Sequence, residues 1–285
     1  MTIDLMIVGG GPAGLAAGLQ AAHMGLCVKI LEKGHLGGRL RLARRVENVP
    51  GLNLTVNGLE LVERLKDQVQ SKGLIPEFGQ CFLIDYANDS FVVHTSQKIF
   101  TCGAVIVATG VTPKKPEIRG LDSNDPRLIY SWLDTPRKHG LKIAVIGGGE
   151  SAFDQACSLA ERGVKVLVLV RGPKAKAFGG LVTEAEKLGV RVAYESTIDR
   201  IETRGSELTI HLTGKCNSPI KVDYILPAIG TNPSELEISE TATLKRDRGL
   251  YWAGDVCCGN FRQVSIAFGD GIKKAMIAYE YLKRS

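Results

Sequence analysis

Residues 3–32 read IDLMIVGGGPAGLAAGLQAAHMGLCVKILE. An apolar run meets three glycines and a proline, a small-residue stretch follows, and a second apolar run ends on Glu32. That order predicts strand, tight turn, helix and strand. Gly9, Gly11 and Gly14 stand in G-x-G-x-x-G register, with Pro12 and Ala13 between the last two. In this register the first glycine permits the turn, the second lets the backbone approach a pyrophosphate, and the third lets helix and strand pack closely. The anion then meets unpaired N–H groups at the helix N-terminus. Glu32, with Lys33 beside it, lies 18 residues after Gly14 and is placed to accept from ribose hydroxyls.

A second copy of the pattern follows, its first glycine 138 residues after Gly9. Residues 142–171 read KIAVIGGGESAFDQACSLAERGVKVLVLVR, with Gly147, Gly149 and Ala152 in the G-x-G-x-x-A form and Glu150 and Ser151 between. The offset is far beyond a solenoid repeat and suits two separate nucleotide-binding domains. Where the first copy has Glu32, the second has Arg171, followed by Lys174 and Lys176. Replacing the ribose-binding acid by a cation favours a 2′-phosphate, hence NADPH over NADH. A solvated basic loop is the plainer alternative.

The strands are near-continuous apolar runs, as parallel strands covered on both faces require. Between the two glycine turns the pattern predicts a helix over 57–70, strands over 81–85 and 90–96, and a buried strand over 104–108. Pro113, Pro116 and Pro126 mark a crossover, and Thr231-Asn232-Pro233 marks a second after a strand over 224–229. The expected fold class is α/β, with two Rossmann-like three-layer domains. A nucleotide domain (113–231) is inserted in a discontinuous domain (1–112 and 232–285).

Composition narrows the rest. Of 285 residues, 44% are apolar and 23% charged, which excludes disorder and a coiled coil. The net charge of +6 allows anionic ligands or an acidic partner, but there is no dense basic stripe for nucleic acid. Leu5–Val28 has no charged residue, yet the glycines and Pro12 interrupt it and no basic segment precedes it, so neither a leader nor a membrane span is expected. Seven scattered cysteines suit a reduced, cytoplasmic compartment. The five histidines have no ligand spacing, so no metal site is expected.

Further short motifs run in order along nearly the whole chain: Gly37-Gly38, Glu47-Asn48-Val49-Pro50-Gly51, Ala108-Thr109-Gly110, Ile229-Gly230, Ala253-Gly254-Asp255 and Arg262-Gln263. With the two glycine turns, they make the chain resemble the low-molecular-weight thioredoxin reductases and their ferredoxin–NADP reductase relatives. The resemblance implies FAD in the first domain, a pyridine nucleotide in the second, and a homodimer. It implies that Gly38, Arg39, Thr109, Gly110 and Gly254 line the FAD site and that Asp255 holds the ribityl and pyrophosphate region. Asn48, Arg262, Gln263 and Val264 would lie at the flavin ring, and the backbone at Cys81 at the adenine. Ile229 and Gly230 would belong to the NADP site.

The chain departs from that family in its thiols. The positions of the family's Cys-x-x-Cys fall on Tyr130 and Leu133, followed by Asp134, and 37–41 also lacks cysteine. A dithiol relay needs one thiolate to attack and a partner to resolve, so thioredoxin reduction by that route is excluded. The adjacent pair Cys257-Cys258 reads either as a strained, redox-active disulfide or as two small buried thiols beneath the cofactor. The second-domain phosphate grip is thinner as well, with Val170-Arg171-Gly172 and Lys176 where relatives carry more arginines. One missing charge-assisted hydrogen bond weakens NADPH about ten- to a hundredfold. Arg39, Arg41, Arg44 and Arg45 crowd one loop and read as a cationic rim that steers an acidic carrier such as ferredoxin or flavodoxin. Alternatively, one of them meets FAD phosphate and the rest are solvated.

The reading is an FAD-dependent oxidoreductase that passes electrons between NADPH and an acceptor (ferredoxin, flavodoxin or a small molecule) without a dithiol. Two alternatives stand beside it: a flavin-linked disulfide oxidoreductase using Cys257-Cys258 or a donor other than NADPH, and a non-catalytic flavin-binding partner or sensor. No catalytic acid or base stands out. Asp134 is the one candidate.

Overall fold

The computed structural model describes residues 2–52, 55–205 and 207–284. The chain forms two compact units, Met1–Thr112 with Pro233–Ser285, and Pro113–Asn232. The first begins with β1 (Ile3–Val8), α1 (Pro12–His23), β2 (Val28–Glu32) and α2 (Gly58–Ser71). It continues through β3 (Glu77–Phe78), β4 (Cys81–Ala87), β5 (Ser90–Thr95), β6 (Ile99–Val107) and the short β7 (Val111–Pro113). Asn57 starts α2 with a reciprocal cap, its side chain taking the Glu60 N–H while the Glu60 carboxylate takes the Asn57 N–H.

In the second unit, β8 (Lys142–Ile146), α3 (Glu150–Glu161), β9 (Lys165–Val170), α4 (Gly179–Lys187) and β10 (Arg191–Tyr194) come first. The strands β11 (Ser196–Arg204), β12 (Glu207–Gly214), β13 (Ile220–Val222), β14 (Tyr224–Pro227) and β15 (Thr231–Pro233) complete it. The chain returns to the first unit through β16 (Glu237–Ile238), α5 (Glu240–Thr243), β17 (Leu250–Trp252) and α6 (Val264–Leu282).

The first unit's sheet is organised around β6. Along one edge β6 pairs parallel with β1, Met6 opposite Val105. Along the other, its first half pairs antiparallel with β5 and its second half parallel with β17. Beyond β1, the strands β2 and β3 extend the parallel part. Strand alternation sorts the core. Leu5, Ile7, Ile30 and Ile106 join the cluster containing α1, α2 and α6. Met6, Val8, Leu31 and Val105 pack instead with Ile84, Phe91 and Val93 of β4 and β5. Small residues allow the helices in close: a Cβ on Gly271 of α6 would overlap the Ala13 carbonyl oxygen.

The second unit repeats this layering with different parts. A parallel sheet ordered β10-β9-β8-β14 carries α3 on one side, where Phe153, Ala156 and Cys157 meet Val145 and Val168. On its other side Ala144, Leu169 and Ile225 pack with Ile201, Leu208 and Ile210 of the antiparallel sheet β11-β12-β13. Each unit is thus a three-layer α/β arrangement with one glycine turn at the end of its first parallel strand. Among the described residues, no helix is long and apolar enough to cross a membrane.

Candidate functional site

At the end of β1, Gly9 turns the chain with φ of 117°. A Cβ there would overlap the Ala108 carbonyl oxygen, and one on Gly14 would overlap the carbonyl oxygen of Gly9. Gly11, the N-cap of α1, is different: a Cβ there would meet nothing within 4 Å. The outer two glycines are therefore required by packing, whereas the middle one opens onto space. Pro12 at the first helical position has no N–H to leave unpaired, and no side chain caps the helix. An uncapped helix start that opens onto space could hold a phosphate. The Gly37 N–H donates to the Gly10 carbonyl (2.7 Å), and the Gly38 that follows lies against Gly11.

Glu32 is buried at the end of β2. Its Oε2 accepts the Gly10 N–H at 2.7 Å and its Oε1 the Gly34 N–H at 2.8 Å. A carboxylate has about four acceptor directions, so two remain after these bonds. Lys33 next to it is exposed. The Gly79 N–H donates to the Glu32 carbonyl (2.9 Å), which runs the segment leading to Cys81 alongside the end of β2. Burial pushes the Cys81 thiol up to about 11, so it is a neutral, inert group.

The C-terminal motifs return to this turn. Gly254 adopts φ of 77°, and a Cβ there would lie 2.7 Å from the Ala13 Cβ, so the Gly254–Val256 turn rests on the start of α1. Asp255 is half-buried. Burial raises its carboxyl above the usual range, against the pull of the Arg262 and Arg39 guanidiniums. Arg39 is in turn held below its ordinary value by burial, with Asp255 opposing. Asn48 Nδ2 donates to Gln263 Oε1 at 2.8 Å, and Ser265 Oγ to the Asn48 carbonyl at 3.1 Å. These bonds bring Asn48 to Gln263 and Val264 at the start of α6. Thr109 Oγ1 lies 3.5 Å from the Ser234 carbonyl, and Gly110 turns with φ of 66°. In the arginine loop, Arg45 is exposed, while Arg39, Arg41 and Arg44 are half-buried.

The second unit has the same turn. A Cβ on Gly147 (φ 144°) would overlap the Ala228 carbonyl oxygen, one on Gly149 would meet nothing within 4 Å, and the third position accepts the fully buried Ala152. Ser151 and Glu150 lie exposed in the first turn of α3. Arg171, Lys174 and Lys176 are exposed after β9. Their loop is fastened over the turn by its main chain, with the Lys176 and Ala177 N–H groups donating to the Gly148 carbonyl at 2.6 and 3.1 Å. Ile229 is exposed and Gly230 turns with φ of 106° just beyond Ala228.

Tyr130 and Leu133 sit in a segment tied to α3. Trp132 N–H donates to Gln155 Oε1 (3.1 Å), and Arg162 stacks 4.1 Å over the Trp132 ring while bonding its carbonyl. Asp134 is exposed. Cys257 is exposed and Cys258 half-buried, which corrects the expectation of two buried thiols. Spacing gave no sign that Asp270 faces both of them (3.7 and 3.8 Å) from α6. Burial, and then the Asp270 carboxylate, pushes the Cys257 thiol up to about 12, and Cys258 is raised by the same causes.

Comparison with known proteins gives a consistent picture. The pyridine nucleotide-disulphide oxidoreductase profile matches residues 3–271. A thioredoxin reductase of Spironucleus barkhanus is 28% identical over 98% of both chains. The 34.2 kDa protein in the rubredoxin operon of Clostridium pasteurianum is 26% identical over 98% of this chain and 97% of its own. Among solved structures, thioredoxin reductase of Lactococcus lactis superposes with a TM-score of 0.86 at 26% identity, covering 100% of both chains.

Proposed function

The chain belongs to the pyridine nucleotide-disulphide oxidoreductase family, as a flavoprotein oxidoreductase similar to thioredoxin reductases, and from that premise we propose that it passes electrons from NADPH to an acceptor without a protein dithiol. The thioredoxin reductase-like family uses FAD and NADPH. The observation that carries the reading is the paired cradle: in each unit the first glycine is forced by packing and the middle one opens onto empty space. FAD, when bound, supplies the chemistry by taking a hydride and passing its electrons on.

The chain's own residues bind and orient. In this reading Gly11 and the N–H groups of α1 receive the pyrophosphate, and the two remaining acceptor directions of Glu32 receive ribose hydroxyls. Arg39, Asp255 and Arg262 supply compensating charge on the half-buried side of the site. In the second unit Gly149 receives phosphate and the fastened basic loop reads the 2′-phosphate. The absence of Cys-x-x-Cys anywhere in the sequence supports transfer straight to the acceptor. The raised Cys257 and Cys258 thiols argue against an internal relay, because a relay needs a thiolate near neutral pH.

The same reading places the protein in the cytoplasm as a homodimer; exposed Ile266, Ile272, Met276 and Ile277 on α6 support a covered surface there. The acceptor class we favour is an acidic protein carrier, drawn by the arginine loop. The test is NADPH-driven reduction of ferredoxin or flavodoxin across a salt series. Steered association falls steeply as salt rises. A rate that stays flat from low to high ionic strength would remove the acidic-carrier proposal and leave a small-molecule acceptor.

A further inference from the structure

We propose that Cys257, Cys258 and Asp270 form a binding site for a thiophilic divalent cation of the zinc or cadmium type. Among the described residues this is the one group of three His, Cys, Asp or Glu ligand atoms gathered closely enough to share an ion, all three lying within 4.8 Å of one another. Neighbouring residues of an extended chain point to opposite sides. Here the Gly254–Val256 turn curls the backbone so that the Cys257 and Cys258 N–H groups both donate to the Gly254 carbonyl, at 3.0 and 3.1 Å. Both thiols consequently face one carboxylate oxygen, Asp270 Oδ2, at 3.7 and 3.8 Å.

The separations suit the ion. Tetrahedral zinc has Zn–S near 2.3 Å and Zn–O near 2.0 Å, which sets sulfur and oxygen about 3.5 Å apart and two sulfurs about 3.8 Å apart. Toward Asp270 Oδ2 each thiol thus needs to move by only a few tenths of an ångström, and the two sulfurs, within 4.8 Å of each other, by no more than about 1 Å between them. The carboxylate is already oriented, because the Gly254 N–H donates to Asp270 Oδ2 at 2.8 Å, the kind of supporting bond that holds metal ligands in place. Two sulfurs select a soft or borderline ion over magnesium or calcium. Cys257 reaches the surface, so the ion has access and a fourth position for water. On binding, both thiols become thiolates and their two protons leave to solvent, so the two thiolates, the Asp270 carboxylate and the dication together carry one net negative charge. The proposed site runs against the expectation of no metal site, which rested on the spacing of histidines with each other and with cysteine and could not register a carboxylate brought in from α6.

The experiment titrates the reduced, FAD-containing protein, freed of metal with EDTA, with Cd2+ alone. Binding is followed by calorimetry and by the ultraviolet thiolate-to-cadmium band. The expected result is one ion per chain and a saturable band. In C257S/C258S the band disappears and affinity falls by more than about a hundredfold, while in D270N the band remains and affinity falls about tenfold or more. Flavin content and circular dichroism check folding. Should D270N lose its flavin through the freed Gly254 N–H, the serine variant decides alone. Two results would overturn the proposal: no saturable band, or a wild-type titration in C257S/C258S, which would assign the ion to the other five cysteines.

Discussion

Gly11 and Gly14 stand three positions apart and do different things. Gly11 has φ of −77°, which any residue adopts, and a methyl group there meets only open space. Gly11→Ala is expected to change the stability of the flavin-free protein by less than about 0.5 kcal/mol, while lowering FAD affinity by more than about tenfold because the methyl group occupies phosphate space. Gly14→Ala drives a Cβ into the Gly9 carbonyl and is expected to cost about 1–3 kcal/mol or more. Thermal unfolding and bound-flavin content of the two variants separate these effects. A Gly11→Ala protein with full flavin would show that the open side of the turn is not the cradle. At this scale the turn at Gly9 and the close packing at Gly14 were legible because they depend on spacing alone. The ties of Glu32 to Gly10 and Gly34 were not, since a carboxylate's partners depend on where the chain folds back. Nor was the meeting of Asp270 with two thiols.

Among the elements, the one whose proposed role is most directly tested is the basic loop after β9. It is held over the second glycine turn by the main chain of Lys176 and Ala177, so removing side chains leaves its course intact. Arg171→Ala/Lys176→Ala is therefore expected to raise the KM for NADPH by about ten- to a hundredfold with NADH little changed. Equal losses for both nucleotides would mean that the loop does not read the 2′-phosphate. Helices and parallel strands were largely readable from apolar period, and the helix expected over 57–70 is α2, begun by the Asn57–Glu60 cap. The antiparallel sheet of β11–β13 escaped the sequence reading. Its alternation is interrupted by Asp199-Arg200 and Glu202, which pair with one another at the surface, and the register shifts between Ile198 and Arg200.

For the whole molecule, order along the chain carried the most information. Two glycine turns 138 residues apart, with Ala108 behind the first and Ala228 behind the second, describe one device used twice. Each unit closes it with its own helix and its own antiparallel layer. The return of the chain's last stretch to the first domain was expected, but the contact that seats it, Gly254 against Ala13 at the start of α1, was not, because it depends on tertiary packing. The claim at the centre is that this pair of cradles delivers NADPH electrons to a flavin with no dithiol between donor and acceptor. Anaerobic titration of the purified protein with NADPH, then NADH, followed at the visible flavin band, tests it most directly. The expected result is about one FAD per chain, bleached by sub-millimolar NADPH and less readily by NADH, and equally in C257S/C258S. A bound flavin that neither nucleotide reduces, or one reduced only while both cysteines are present, would contradict it.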